Sequence, residues 1–200
     1  MSFGDISLRT ERLELRLPSR GELVKLFRVA EEGIHPPESM PFAIAWTDEL
    51  DLARFLDFHE TQLRESRPED WTLNFVTFRE GRPIGSQTIG AEGFPEKRTV
   101  QTGSWLGAPW QRRGLGTEMR AAVLELAFRG LGAHAATSGY LDGNDASRRV
   151  SEKLGYRSVG TSTLSPRGEP LPHTDVRIDR ADWRGYPVEI SGLDPGDFGL

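Results

Sequence analysis

The sequence predicts an α+β protein: a mixed, mostly antiparallel sheet with helices on both faces. Three observations carry this expectation. Hydrophobic periodicity alternates between strand-like and helix-like repeats in the order βααβββαβαββ. Residues 71–106 read as an antiparallel meander, and the later strand–helix–strand unit over residues 100–141 requires a parallel crossover. Between the last meander strand and the following helix stands Gln111-Arg112-Arg113-Gly114-Leu115-Gly116, whose glycines let a ligand come close to the backbone.

Each element has its own signal. Residues 8–17 end in clean alternation, with Leu13, Leu15 and Leu17 on one face, and are expected as a single half-buried strand. Pro18 and Ser19 stop it, and Ser19 with Glu22 makes a capping box for a helix whose core stripe is Leu23, Leu26, Phe27 and Ala30. Residues 33–42 hold three prolines and form a loop. His35, Met40, Phe42 and Trp46 make this stretch apolar enough to line a pocket or to lie on the core. A second helix is expected from Thr47 or Asp48, with Leu52, Phe55, Leu56, His59 and Leu63 on one side, ending before Pro68.

Residues 71–78 and 83–89 are strands joined by the turn at 79–82. Residues 100–106 form the third strand, in which Gly103 signals a bulge or a close ligand approach. Leu115, Met119, Ala122, Val123, Leu126 and Ala127 make the stripe of the next helix, which Gly130 ends. Residues 133–141 form a strand, Asn144 caps a short helix closed by Gly155, and residues 156–164 and 174–179 are the last strands. One domain spans residues 1–185, with a C-terminal tail over 186–200. Residues 193–200 have little to bury and are expected to be loose.

Composition narrows the function. A net charge of −5 argues against general nucleic-acid binding, which needs a cationic surface. All but three of the 25 basic residues are arginine, a bias that reads first as codon usage and second as phosphate recognition. With no cysteine there is no disulfide, thiolate nucleophile or cysteine–metal site. No apolar run reaches membrane-spanning length, and residues 1–5 show no signal-peptide pattern, so a cytoplasmic address without membrane contact is expected.

The turn at 111–116 reads as a pyrophosphate cradle. The helix behind it offers unpaired N–H groups and a positive dipole end, and Arg112 and Arg113 add cations. A P-loop is excluded because Gly116 is followed by Thr117-Glu118, and a dinucleotide fingerprint because Met119 stands where its third glycine belongs.

What remains, Q-x-x-G-x-G between a strand and an amphipathic helix, resembles the acyl-CoA loop of the GNAT acyltransferases. Gly103-Ser104-Trp105-Leu106 before the loop, and Asn144-x-x-Ser147 leading into Glu152-Lys153-Leu154-Gly155-Tyr156 after it, are similar to the RimJ/RimL branch of that superfamily. So is the opening Leu8-Arg9-Thr10-Glu11-Arg12-Leu13. The resemblance covers about residues 8–184 and implies the GNAT fold. It also implies an N-acyltransferase that moves an acetyl group from acetyl-CoA to a primary amine by direct attack, without a metal.

By position, the resemblance implies that the backbone amides of Gln111, Arg112, Arg113, Gly114, Leu115, Gly116 and Thr117 hold the CoA pyrophosphate. Trp105, Leu106 and Gly107 would pair with the pantetheine arm, which Asn144 would also bind. Ser147 would lie against CoA and protonate the departing thiolate. Gln101 stands where the branch often has a basic Glu, and Ser104 replaces its Tyr. The base is therefore left to water relayed to His35, Glu38 or Asp142. His35, Trp46, Gln101 and Ser104 are the expected substrate-pocket residues. The altered pocket also admits another donor, such as succinyl-CoA, whose carboxylate would need an Arg. The acceptor is an amine on a small molecule, peptide or protein, and a homodimer is expected from the aromatic content and the resemblance. The competing reading is a catalytically silent acyl-CoA sensor or scaffold.

Overall fold

Eighteen of the residues from Asp70 to Glu92 are buried or half-buried along a hairpin covered on both faces, and the sheet grows outward from it. In the computed structural model, which describes Phe3 and residues 6–200, the strands are β1 (Ser7–Arg9), β2 (Glu14–Arg16), β3 (Asp70–Arg79), β4 (Arg82–Glu92), β5 (Thr99–Leu106), β6 (Ala135–Leu141), β7 (Arg157–Leu164), β8 (Leu171–Asp179) and β9 (Glu189–Ser191). The other N-terminal residues, on which the signal-peptide expectation falls, lie outside the described residues. The sheet order is β7-β8-β6-β5-β4-β3-β2-β1-β9, and β5–β6 is parallel while its other recorded pairings are antiparallel. The expected mixed, mostly antiparallel sheet is what forms.

Alternation assigns the two faces. Leu73 and Phe75 join the large core under α4 (Leu115–Glu125), while Val76 and Phe78 pack with Leu23 and Leu26 of α1 (Arg20–Glu31) and Leu56 of α2 (Leu52–Glu65). The capping box at Ser19 and Glu22 is formed, and Leu23, Leu26, Phe27 and Ala30 are the buried residues of α1. A short α3 (Phe94–Lys97) lies in the connection before β5, and α5 (Asp145–Leu154) packs beside α4. Among the described residues no helix is long and apolar enough to cross a membrane.

Four expectations are corrected. Residues 8–17 are not one strand: Ser7 pairs with Arg16 in a β1–β2 hairpin. The Thr10 hydroxyl accepts from Leu13 N at 3.1 Å and closes the turn, which period-2 alternation could not reveal. The second helix starts at Leu52, because Asp51 accepts from Arg54 N at 2.8 Å as its cap while Asp48 is engaged by Arg167. Of the two readings of Gly103, a bulge or a close ligand approach, the bulge falls away, because the β4–β5 ladder passes it without a register shift. The end of the chain is not loose. Glu189–Ser191 pairs with β1 as β9, and Phe198 is fully buried with its ring 4.9 Å from Trp71 and 5.2 Å from Phe3. Gly130 lets Leu193 dock, since a Cβ there would lie 2.8 Å from Leu193 Cδ2.

Candidate active site

The turn before α4 is held in shape from three sides. Gln111 donates its side-chain Nε2 to Leu106 O at 2.8 Å and to Ile34 O at 2.7 Å, tying the turn to β5 and to the α1–α2 loop. Arg12 donates to Arg113 O at 3.1 Å. The buried Glu118 carboxylate anchors that arginine through Nε at 2.7 Å and also accepts from Thr10 Oγ1 at 2.6 Å and Arg12 N at 3.1 Å. Arg112 and Gly114 both adopt positive φ, 60° and 78°. Gln111 N–H is already donated to Ala108 O, so the amides without a protein acceptor among the described residues are those of residues 112–117. They cluster with the exposed Arg112 and Arg113 at the positive end of α4, which suits a polyanion.

Beside this turn the sheet opens. Parallel pairing of β5 with β6 ends at Gln101 opposite Thr137. Each strand stays held on its far side: β4 follows β5 to Leu106, and β8 follows β6 to Leu141. Ser138 Oγ donates to Thr102 O at 2.9 Å and Thr102 Oγ1 to Thr137 O at 3.3 Å, knitting the apex of the gap. Beyond it one edge of β5, through Trp105 and Leu106, lacks a strand partner, which leaves backbone groups for an extended ligand to pair with. Asn144 ends the β6 side; its Oδ1 caps α5 by accepting Ser147 N at 3.1 Å, and its Nδ2 donates to Pro41 O. Ser147 Oγ makes no hydrogen bond among the described residues.

The helix side of the gap holds a buried cation. Arg120 of α4 is 3% exposed and donates to Ser104 Oγ at 3.1 Å and to Ser151 Oγ of α5 at 3.2 Å. Its Nε has no partner, and among the described residues no carboxylate lies within ion-pair distance. Burial pushes the guanidinium down from its ordinary value, while the nearby Tyr156 opposes that shift. Tyr156 itself is pushed up by burial, and its hydroxyl meets Thr102 Oγ1 at 3.3 Å. A buried charge without a counterion opposes folding unless something else compensates it.

The opposite side of the gap looks toward α1 and α2. In a parallel pair, residues in register share a face, so Gly103 and Gly139 both point this way. A Cβ on Gly103 would meet nothing within 4 Å. A Cβ on Gly139 would lie 2.4 Å from His173 Nε2 and 2.3 Å from its Cε1, so the imidazole lies against bare backbone at the lip of the gap. His173 Nδ1 faces Asp175 Oδ1 at 3.3 Å and Ser162 Oγ at 3.4 Å, which favours the tautomer with the lone pair on Nε2. Further out, His35, Phe42, Trp46 and Trp105 form a chain of ring contacts at 5.6, 5.4 and 5.7 Å. Behind it is a cavity of about 340 Å³ lined in part by His35, Thr47, Asp48 and Arg167.

The expected substrate-pocket residues therefore divide. His35 and Trp46 come together, and Gln101 lies on the same side of the sheet, but Ser104 points the other way, to Arg120. His35 has both ring nitrogens engaged, with Thr47 Oγ1 at 2.8 Å and Pro36 O at 2.9 Å; Glu38 and Asp142 are exposed. Sequence reading missed Arg120, Glu118, His173 and Asp175. The His-x-Asp spacing in a strand was a usable signal for the last two, because it puts both side chains on one face. Among the described residues no group of His, Asp and Glu gathers as metal ligands.

Comparison with known proteins bears on these features together. The family model for the acetyltransferase (GNAT) domain matches residues 12–157. Among solved structures, RimJ from Mycobacterium smegmatis in complex with CoA-disulfide is similar, with a TM-score of 0.68, 21% identity, and coverage of 88% of this chain and 86% of that one. A GNAT-family acetyltransferase from Bacillus anthracis gives 0.68 at 17% identity, covering 88% and 99%. The RimL ribosomal alpha-N-protein acetyltransferase in complex with coenzyme A gives 0.69 at 12%, covering 85% and 95%. The likeness of the structures speaks to the fold, the family model to the lineage: this chain belongs to the GNAT acetyltransferase family.

Proposed function

We propose that the protein transfers an acyl group from a CoA thioester to a primary amine, by direct attack within a ternary complex. The observation that carries this reading is the gap between β5 and β6, which opens beside the amides of residues 112–117. In this reading the pyrophosphate lies on those amides with Arg112 and Arg113, the pantetheine arm pairs with the edge of β5 at Trp105, Leu106 and Gly107, and Asn144 borders the arm. The thioester then sits between Ser104 and Gly103 on one lip and Gly139 on the other.

The amine approaches from the aromatic side, where Trp46, Trp105 and Gln101 lie. Its nitrogen forms the C–N bond as the C–S bond breaks. His173 Nε2, held in the productive tautomer by Asp175, takes the proton that the nitrogen sheds as it attacks, and the Ser147 hydroxyl passes a proton to the departing thiolate while regaining one from solvent. This assigns the base to His173 rather than to His35, Glu38 or Asp142. A strand-borne imidazole with one nitrogen oriented and the other free is better suited than His35, whose nitrogens are both engaged.

Release of free CoA thiol, followed with acyl-CoA donors over a panel of small amines and peptides, tests the proposal. Amine-dependent release above the rate without protein is expected. Tight CoA binding with no amine-dependent release would favour the silent sensor instead. The His173–Asp175 pair at the lip of the gap argues against that alternative.

A further inference from the structure

Arg120 does not fit a merely structural part. A guanidinium has five N–H donors, and the two hydrogen bonds of Arg120 go to neutral hydroxyls, Ser104 and Ser151. Both terminal nitrogens thus keep a free N–H, and Nε has no partner at all. Each flanking position is small, so the three elements that meet here leave the fork uncapped: Ser104 from β5, Ser151 from α5, and Arg120 from α4. Ser104 belongs to the stretch of β5 that borders the gap, and it is half-buried, so the guanidinium lies directly behind the gap wall. A planar fork with free donors on adjacent nitrogens matches a carboxylate, which can accept two parallel bonds.

We propose that Arg120 receives the carboxylate of a short dicarboxylic acyl group, so that the donor is a CoA thioester of the succinyl type rather than acetyl-CoA. This inference rests on the acyl-CoA reading above, and on Arg120 being the charged side chain that faces this wall of the gap. The bonds made and broken are those of ordinary acyl transfer, C–N for C–S. The carboxylate does not react; it neutralises a cation that the protein alone leaves uncompensated, with the Ser104 and Ser151 hydroxyls turning to accept or donate around it. A neutral acetyl group offers the fork nothing.

The test compares calorimetric affinities of CoA, acetyl-CoA and succinyl-CoA for the unaltered protein, then for Arg120→Met and Arg120→Lys. The unaltered protein should bind succinyl-CoA about 10- to 100-fold more tightly than acetyl-CoA, the worth of a charge-assisted pair. That ratio should fall to about one in Arg120→Met, whose side chain fills similar space without charge, and should be partly kept in Arg120→Lys. A ratio is the readout because general loosening of the fold would weaken both donors alike. Equal affinities in the unaltered protein overturn the proposal, whatever the variants do. So does an Arg120→Met variant that keeps the full succinyl preference. Failure of CoA itself to bind would instead sink the acyl-CoA reading, which separates the two results.

Discussion

The two sides of the β5–β6 gap are built from different materials. Toward α4 and α5 the gap is walled by buried groups from three adjoining elements, with Arg120 between Ser104 and Ser151 and Tyr156 against Thr102. Toward α1 and α2 it is framed by glycines, by an imidazole from β8, and by aromatic rings carried on an irregular loop. The first side fixes geometry and charge before any ligand arrives, as suits a common donor. The second presents adaptable side chains at the surface, as suits a variable acceptor. Damage to the second should therefore spare donor binding.

The largest effect expected from such damage is on turnover. His173→Ala should lower kcat about 10²- to 10⁴-fold, the usual span for a lost general base. The affinity for acyl-CoA should stay unchanged, because no donor-binding residue is touched. Asp175→Asn should cost less and shift the pH–rate profile, since the imidazole loses the group that orients its tautomer. A His173→Ala enzyme with parental kcat would leave proton removal to water.

The next effect concerns stability beneath the acceptor side. His59 of α2 is buried against Phe55, with ring centroids 4.6 Å apart, and its Nδ1 has no partner. Burial pushes it from 6.5 down to about 4. The unfolded chain takes up that proton first, so stability is full above about pH 6.5 and falls as the pH drops toward 4. The loss should approach about 3 kcal/mol. Chemical denaturation of His59→Phe should show a flatter dependence over this window; an unchanged slope would mean His59 does not titrate there.

A smaller effect falls on the donor side. Ser147→Ala should reduce kcat about 10- to 100-fold, because a thiolate already leaves easily, while KM for acyl-CoA stays nearly the same. Turnover at the parental rate with a good acceptor would reduce Ser147 to a polar residue in the first turn of α5.

Legibility followed the same division. The turn before α4 and the cap of α5 could be read because they depend on contiguous sequence: Gln111 to Gly116 and Asn144 to Ser147 each carry their own geometry, and flanking periodicity identifies the strand and the helix. Which strand neighbours which is not local. The sequence held His173 and Asp175 in plain view, but their place at the gap depends on β8 pairing with β6, across a helix and β7. Arg120 was hidden for another reason. In an amphipathic pattern an arginine between Met119 and Ala121 reads as a solvated position, and only the packing of α5 onto α4 buries it. Phe198 was misjudged likewise, since one aromatic near a terminus gives no period to read.

The central claim, that CoA is held by the turn opening α4, is tested most directly by calorimetric titration of CoA onto the unaltered protein and onto folded Gly114→Val. Gly114 has φ 78°, and valine in the left-handed region is strained by about 1–2 kcal/mol or more. The turn should relax out of that conformation and carry the amides of residues 112–117 off the phosphates. The account predicts a dissociation constant raised about 10-fold or more, with the thermal melt showing the variant still folded. A folded Gly114→Val that binds CoA as tightly as the unaltered protein would contradict it.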